Sequence, residues 1–341
     1  MNQYTLSKWA DLLLDTGKRN NLINFNSNTA SSVEIIQPNF QSVFDAIKHR
    51  RTLEIYNPKS IFDEDDGSLK KEVNIPRQEY IRIHGFKLKG RQVLIYHPLY
   101  NPISSIKGLK KKAASVIEET GINILYMAFG FVNWKEKDNS EDIMSAPLLL
   151  VPISISNESA ISPICINVIE DDILTNPTFV YKLQQEYGIS LPEYENEEDD
   201  DVLHYLHKLE DIFLKLDWHI DYSCKIALFS FQKLNMHNDL KDNCDIIMES
   251  PNVRALSGES ISQGNLSPIS IEKSTNPLIE LHNVVDADSS QIEAIEMAKQ
   301  GKSFVLQGPP GTGKSQTITN IIAECLYDGK KVLFVSEKIA H

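Results

Sequence analysis

The spacing of hydrophobic residues changes several times along the chain and predicts strands mixed with helices. Two long apolar stretches, residues 122–134 and 148–155, predict neighbouring central strands of one sheet. Shorter apolar runs predict further strands at residues 33–36, 52–56, 80–88, 91–97 and 226–231. Because Lys89-Gly90 joins two of these runs, residues 80–97 are predicted to form a β-hairpin.

Apolar residues at helical spacing alternate with these strands. They predict helices at residues 5–16, 43–47, 103–120, 179–187 and 202–216, and a helical segment leading to residue 256. Asn176-Pro177 is typical of a helix start, and Gly121 and Gly188 are typical of helix ends. Residues 1–256 are therefore predicted to form a mixed α+β domain. The serine-, glycine- and proline-rich residues 257–280 are predicted to be a linker.

The strongest chemical signal lies after this linker, at residues 308–315, GPPGTGKS, which match the phosphate-binding pattern G-x-x-x-x-G-K-[ST] in full. The apolar residues 304–306 before it predict a buried strand, and apolar residues at helical spacing after it predict a helix. A second buried strand is predicted at residues 331–336. The resulting β-α-β unit makes residues 281–341 the first, incomplete part of a parallel-sheet α/β domain of the P-loop NTPase type.

The residue types in this loop suit a polyphosphate. Glycines let several backbone N–H groups point to one place, and the following helix directs its positive end to the anion. Lys314 is predicted to reach the β- and γ-phosphates, and Ser315 to join a Mg²⁺ shell. A chance glycine-rich turn is the alternative, which the strand and helix context disfavours. Nucleotide binding is assigned to Gly308, Pro309, Pro310, Gly311, Thr312, Gly313, Lys314, Ser315 and Gln316.

Upstream of the loop, Asp288 followed three residues later by Gln291 predicts a capped helix start. Gln291 has two open roles. It either completes the cap or reads the edge of an adenine base, since its amide both donates and accepts.

Bulk properties exclude several classes of protein. A net charge of −13 argues against wholesale attraction to nucleic acid, although it leaves room for a local basic groove. Residues 18–21 and the lysines among residues 107–112 are candidates for phosphate contact, or else a helix end and a solvated helix face. Four scattered cysteines, no signal peptide and no long apolar run predict a cytoplasmic protein with reduced thiols and no membrane partner.

From Asp288 through the loop to Ser336, Glu337 and Lys338, the chain resembles the start of superfamily 1 helicases, in the branch of the nonsense-mediated decay helicases. The resemblance implies a RecA-like fold, ATP and Mg²⁺ as cofactors, adenine reading by Gln291, and nucleic-acid contact by Ser336 and Lys338.

The first part resembles domain-of-unknown-function family 4011, which commonly precedes such helicases in bacteria. The matching stretches are residues 12–15, 19–25, 121–134, 146–152, 176–178 and 229–234. Proteins of this layout often carry a nuclease domain after the helicase, and some act against phage.

The sequence reaches His341 without an assignable Walker B acidic pair, catalytic arginine or second motor domain, so no catalytic residue is assigned. We therefore expect the N-terminal portion of an ATP-dependent DNA or RNA helicase or translocase, serving anti-phage defence or nucleic-acid processing. The alternative is a non-catalytic module that binds nucleotide or docks a partner. A small P-loop kinase is disfavoured, because its acceptor-binding lid would have to follow Ser336.

Overall fold

The computed structural model describes residues 3–57, 75–136, 142–157, 159, 162–169, 173–195, 201–256 and 282–335. The chain divides into two compact units, residues 6–242 and residues 243–341 together with 1–5. The predicted linker, residues 257–280, lies outside the described residues. Within the described ranges no helix has the length and apolar character needed to cross a lipid bilayer.

The first unit is built on one sheet of eight strands. They are β1 (Ser32–Gln37), β2 (Leu53–Ile55), β3 (Gln92–Tyr96), β4 (Leu125–Trp134), β5 (Met144–Ser156), β6 (Ile164–Val168), β7 (Leu174–Thr175) and β8 (His219–Leu228). Their order is β4-β8-β1-β3-β2-β6-β5-β7. Because β5 also pairs with β4, seven of the strands close into a ring. The pairings are antiparallel except for β2 with β3, so the mixed α+β prediction for this part is confirmed.

Helices flank this sheet. They are α1 (Gln3–Leu13), α2 (Phe40–Lys48), α3 (Arg77–His84), α4 (Pro102–Thr120), α5 (Pro177–Lys182), α6 (Val202–Phe213) and α7 (Gln232–Asp242). The predicted glycine end is present at α4, where Gly121 ends the helix at φ 71°. The start of α4 is capped by Asn101, whose side chain accepts a hydrogen bond from the Ser104 N–H and which the sequence analysis did not single out. At α5, Asn176 caps the start, a π-helical turn over Leu183–Tyr187 continues the helix, and Gly188 closes it.

The core lies on both faces of the long strands, which is why their sequences read as nearly continuous apolar runs. On one face, β4 and β5 pack with α2, α4 and α6 in the main buried cluster. On the other face, Leu22 and Phe25 cover Phe131 and Phe229 in a second cluster. The Trp134 indole N–H ties this covering segment to β4 by donating to the Ile23 carbonyl oxygen at 2.9 Å.

A bulge at Gly130 resets the alternation of β4. The pairing of β4 with β8 shifts register between Phe129 and Phe131, and Gly130 adopts φ 71°. A Cβ atom at Gly130 would also lie 3.2 Å from the Leu206 side chain. Phe129 consequently joins the main cluster and Phe131 the second one, although only one residue separates them.

The predicted hairpin over residues 80–97 is wrong in its first half. Residues 77–84 form α3, a short 3₁₀ turn follows over Gly85–Lys87, and only the second half is a strand, β3. The reason is the burial of Tyr80 and His84, four residues apart on one side of the helix, where the Tyr80 ring packs against His84 and against Tyr96 of β3. The same residues also fit the alternation of apolar and polar positions that is typical of a strand, and the sequence pattern alone therefore predicts a strand here.

The second unit is helical in its described residues. It contains α8 (Cys244–Glu249), α9 (Pro251–Leu256), α10 (Ser289–Lys299) and α11 (Lys314–Tyr327). The strands predicted at residues 304–306 and 331–336 are not formed over the described positions, and Val305 and Leu333 are exposed. A strand requires a hydrogen-bonded neighbour, and the described residues of this unit contain no other strand to pair with. The predicted β-α-β unit is therefore absent from this described region.

Candidate nucleotide-binding site

The loop of residues 308–315 connects directly to α11. Gly311 and Gly313 have φ values of 87° and 73°, in the left-handed region that favours glycine, and Gly313 is the residue that begins the helix. Gly308 is restricted differently, because a Cβ atom there would lie 2.6 Å from the Thr312 hydroxyl oxygen. That hydroxyl donates to the Pro309 carbonyl oxygen at 2.8 Å, which holds the turn closed.

The Lys314 side chain folds back over this turn. Its ammonium nitrogen donates to the carbonyl oxygens of Gly308 at 2.5 Å and Pro309 at 2.8 Å. The cation therefore lies beside the backbone of the loop, at the positive end of α11, where positive potential from the helix and from the side chain adds. This is a position from which an ammonium can exchange carbonyl oxygens for those of an anion.

The remaining loop side chains are accessible. Ser315 and Gln316, in the first turn of α11, are exposed, as are Pro309 and Pro310. The Ser315 hydroxyl has no hydrogen-bond partner in the described part of the chain, so it can enter the coordination shell of an ion.

Gln291 links α10 to the loop. The predicted capping box is confirmed, since the Asp288 carboxylate accepts from the Gln291 N–H at 2.9 Å and the Gln291 side-chain oxygen accepts from the Asp288 N–H at 2.9 Å. The same side chain reaches further. Its Nε2 donates to the carbonyl oxygens of Thr312 at 3.3 Å and Gly313 at 3.4 Å. Gln291 thus joins the capped helix start to the loop.

A buried polar face of α11 supports this arrangement, and the sequence analysis missed it. The Asn320 side chain accepts from the N–H groups of Val284 and Val285 at 2.9 and 3.1 Å and donates to the Val285 carbonyl oxygen at 2.9 Å. It thereby holds the segment that leads into α10. The signal lay in Thr317, Asn320 and Glu324, polar residues that recur at helical spacing.

Glu324 is the charged member of this face. Its carboxylate accepts from the Lys299 ammonium at 3.0 Å and from the His282 backbone N–H. Burial alone raises the pKa of Glu324, but these hydrogen bonds and the lysine charge outweigh it and hold the pKa below its usual value. The hydrogen bond to Glu324 likewise raises the pKa of Lys299. Both groups are therefore ionised near neutral pH.

The other predicted contacts have mixed outcomes. Ser336 and Lys338 lie outside the described residues. On α4, Lys110 binds the Asn157 side chain and Lys112 binds the Ser31 hydroxyl, so part of this basic stretch serves internal contacts. In residues 18–25, Leu22, Ile23 and Phe25 are buried as expected.

Comparison with known proteins follows the same division of the chain. A family model described as an AAA domain matches residues 286–338, which include the loop and both helices around it. The chain is 26% identical over 296 residues to "Uncharacterized ATP-dependent helicase MG140" of Mycoplasma genitalium. The matched region covers 79% of this chain and 26% of that protein. It is 24% identical over 254 residues to the homolog of that helicase in Mycoplasma pneumoniae, covering 67% and 22%.

A short region is more closely similar to a plant protein. Over 56 residues the chain is 48% identical to "Probable helicase MAGATAMA 3" of Arabidopsis thaliana, covering 16% of this chain and 7% of that protein. The chain spans about a quarter of the length of the Mycoplasma relatives. No solved structure matches it. The model described as "Protein of unknown function (DUF4011)" matches residues 12–183, half of the chain, and the chain therefore belongs to the DUF4011 family.

Proposed function

We propose that the second unit binds ATP through residues 308–315, as the nucleotide-binding portion of a superfamily 1 helicase or translocase. One observation carries the proposal. The Lys314 ammonium lies on the carbonyl oxygens of a turn with two left-handed glycines, at the start of α11. A triphosphate requires this combination of a movable cation, a tight backbone turn and a helix N-terminus.

The residues present fit ATP and Mg²⁺. The ammonium of Lys314 would exchange its carbonyl partners for phosphate oxygens, and the exposed Ser315 hydroxyl would serve as a ligand of the ion. When bound, ATP supplies the free energy of phosphoanhydride cleavage, and Mg²⁺ neutralises phosphate charge. Gln291, already held at the loop, would turn its amide to the adenine edge.

Exposed apolar surface in this unit supports a larger parallel sheet. Val305 and Leu333 are 89% and 87% exposed, on the two segments where sheet strands are expected. The isoleucines of α11 (Ile318, Ile321 and Ile322) are only partly buried, whereas the polar Thr317, Asn320 and Glu324 are buried. Helices of parallel α/β sheets bury their apolar side against strands. We infer that both segments join a RecA-like sheet whose other strands come from the remainder of a longer protein.

For that longer protein we propose ATP-driven movement on DNA or RNA, in nucleic-acid processing or defence against phage. Helicases are the named class of the matched relatives, and the resemblance to superfamily 1 would give Ser336 and Lys338 contact with a strand. Phage defence rests on the resemblance alone, and a plaque assay with Lys314→Ala in the natural host tests it.

A non-catalytic nucleotide-binding module is the second candidate. The observation in its favour is that residues 304–306 and 331–335 form no strand. The described residues of this unit therefore lack the sheet on which a motor carries its other catalytic groups. Positioning and electrostatic stabilisation supply most of phosphoryl-transfer catalysis, so a phosphate loop alone should bind ATP far better than it hydrolyses it.

ATP hydrolysis in the longest natural form of the protein distinguishes the two candidates. We expect turnover that single-stranded DNA or RNA stimulates and that Lys314→Ala abolishes. Lys331→Ala, which removes an exposed lysine from the same unit, is the matched control and should retain turnover. ATP binding without turnover, with or without either strand, would contradict the motor role and favour the module.

A further inference from the structure

A polar pocket in the first unit brings together residues from three distant parts of the chain. Its volume is about 350 Å³, within the range of ~300–1,000 Å³ that is usual for small-ligand sites. One wall comes from residues 14–21 after α1, a second from Thr178 in α5, and a third from residues 228–233, which run from the end of β8 into the start of α7. Each wall belongs to a stretch that carried the resemblance to family 4011, although up to about 200 residues separate them.

Two cations that line this pocket have no carboxylate partner within the part of the chain that the structure describes. Arg19 and Lys233 are exposed, and neither makes an ion pair or a side-chain hydrogen bond with another described residue. The neighbouring Lys18 behaves differently, since its ammonium lies 3.5 Å from Glu136 and 3.7 Å from Asp142. In a protein with a net charge of −13, two unneutralised cations on one cavity indicate a site for an anion.

Neutral polar groups complete the lining. The Asn21 side chain is exposed and Thr178 is buried at the cavity wall, and neither side chain makes a hydrogen bond to another described residue. Asp15 is the one acidic residue of the lining, and its carboxylate accepts from the Gly17 N–H at 3.1 Å within its own turn. The lining therefore combines two cations with four neutral polar residues (Asn20, Asn21, Thr178 and Ser230) beside one carboxylate.

The walls are fixed to the core before any ligand arrives. The buried Asn176 donates from its amide nitrogen to the carbonyl oxygens of Leu22 at 2.6 Å and Pro147 at 2.8 Å, and accepts from the Phe179 N–H at 3.2 Å. Asn20 stabilises the loop by donating to the Asp15 carbonyl oxygen at 2.6 Å. A site that is already formed loses little conformational entropy on binding.

We propose that this pocket binds a phosphate group, either the phosphodiester of a nucleic-acid strand or the phosphate of a nucleotide. Arginine offers a planar fork that matches phosphate oxygens, lysine adds a point charge, and amide and hydroxyl groups fill the remaining acceptor positions. The site is independent of the phosphate loop, because all of its residues lie within residues 6–242.

The test measures binding of a short labelled oligothymidylate, and separately of AMP, to the full chain. Every protein carries Lys314→Ala and Mg²⁺ is omitted, so the result does not depend on the phosphate loop. Arg19→Gln/Lys233→Gln removes the two pocket cations. Lys208→Gln/Lys215→Gln is the matched control, since it removes two exposed cations elsewhere in the same unit. Unchanged thermal unfolding of both double variants establishes that they are folded. If Arg19→Gln/Lys233→Gln is not folded, the single variants Arg19→Gln and Lys233→Gln are measured instead.

We expect the pocket variant to bind the oligothymidylate about tenfold more weakly. The plot of the logarithm of the binding constant against the logarithm of the salt concentration should also become less steep. Its slope should be less negative by about 1.4, or ~0.7 for each lost phosphate contact. If AMP binds to the parent and this binding is lost in the pocket variant, the phosphate comes from a nucleotide. If AMP does not bind and only oligothymidylate binding is weakened, the phosphate comes from a strand. Equal binding by parent and pocket variant, an equal loss in the Lys208→Gln/Lys215→Gln control, or no binding of either probe by the parent would overturn the proposal.

Discussion

Gln291 donates from its side-chain amide to the carbonyl oxygen of Gly313 at 3.4 Å, and a Cβ atom on Gly313 would overlap that same nitrogen. The glycine therefore serves two purposes. It adopts a left-handed conformation at the start of α11, and it leaves room for the residue that caps α10. Loop, helix start and cap form one packed arrangement.

Gly313→Ala should weaken ATP binding by more than the conformational strain alone explains. A left-handed conformation costs a residue with a side chain about 1–2 kcal/mol, and here the added methyl group also displaces Gln291. Gly329→Ala is the matched control, because Gly329 has nearly the same φ, 72°, with open space around it. Titration with a fluorescent ATP analogue should show the larger loss for Gly313→Ala. Equal affinities in the two variants would refute the packing argument.

Gln291→Ala should reduce the preference for ATP over GTP as well as the stability of the second unit. Loss of half the capping box costs about 0.5–2 kcal/mol, which affects both nucleotides alike, whereas loss of the adenine contact affects only ATP. Asp288→Ala removes the other half of the cap and keeps the glutamine amide. Competition binding with both nucleotides should show a changed ratio for Gln291→Ala only. The same ratio in both variants would leave Gln291 as a cap alone.

Glu324→Gln should destabilise the second unit most near neutral pH. Because the folded-state pKa of Glu324 lies below its ordinary 4.5, the ionised carboxylate stabilises the fold above that pH, and this stabilisation disappears as the pH falls through the lowered value. Lys299 has its effect at the alkaline end of the pH range. Its folded-state pKa is raised, so its contribution is present below 10.5 and is lost as the pH rises through the raised value.

Thermal unfolding of parent and Glu324→Gln across the acidic range measures this effect. The difference between their midpoints should shrink below about pH 4.5. Glu293→Gln, on the neighbouring α10, is the control and should give a smaller difference near neutral pH. A difference for Glu324→Gln that stays constant down to the acid limit would show that its charge contributes nothing.

Asn176→Ala should destabilise the first unit by about 2–4 kcal/mol, since it leaves the buried carbonyl groups of Leu22 and Pro147 without a donor. Asn133→Ala, at the exposed position of β4, should change stability by no more than ~0.5 kcal/mol. Urea unfolding gives both values. Similar stabilities for the two variants would mean that Asn176 does not hold the walls of the pocket.

Local chemistry made much of the first unit predictable. The Asn176-Pro177 start, the glycine ends at Gly121 and Gly188 and the long apolar stretches of β4 and β5 each follow from a single stretch of sequence. Residues 80–84 were misjudged, because Tyr80 and His84 suit two periods and only packing against Tyr96 decides between them. A prediction from one sequence has no access to that distant contact.

The candidate sites likewise contain features that local sequence predicts and features that only the folded chain reveals. The loop and the Asp288–Gln291 cap follow a short pattern that is visible in the sequence. The buried Asn320 and Glu324 were missed, since a polar residue on a helix usually faces solvent. The pairing of Arg19 with Lys233 on one pocket depends on the closed sheet, which brings together residues more than 200 positions apart. The expected strands at residues 304–306 and 331–336 depend on neighbours that the described residues do not provide.

Equilibrium titration of the full chain with a fluorescent ATP analogue in the presence of Mg²⁺ tests the central claim most directly. We predict saturable binding that chelation of Mg²⁺ weakens and that Lys314→Ala reduces by at least about tenfold, because the ammonium on the loop carbonyl groups is lost. Lys331→Ala should bind like the parent, and thermal unfolding of the first unit should be the same in all three proteins. No saturable binding by the parent, or equal binding by Lys314→Ala, would contradict the assignment of residues 308–315 as a nucleotide site.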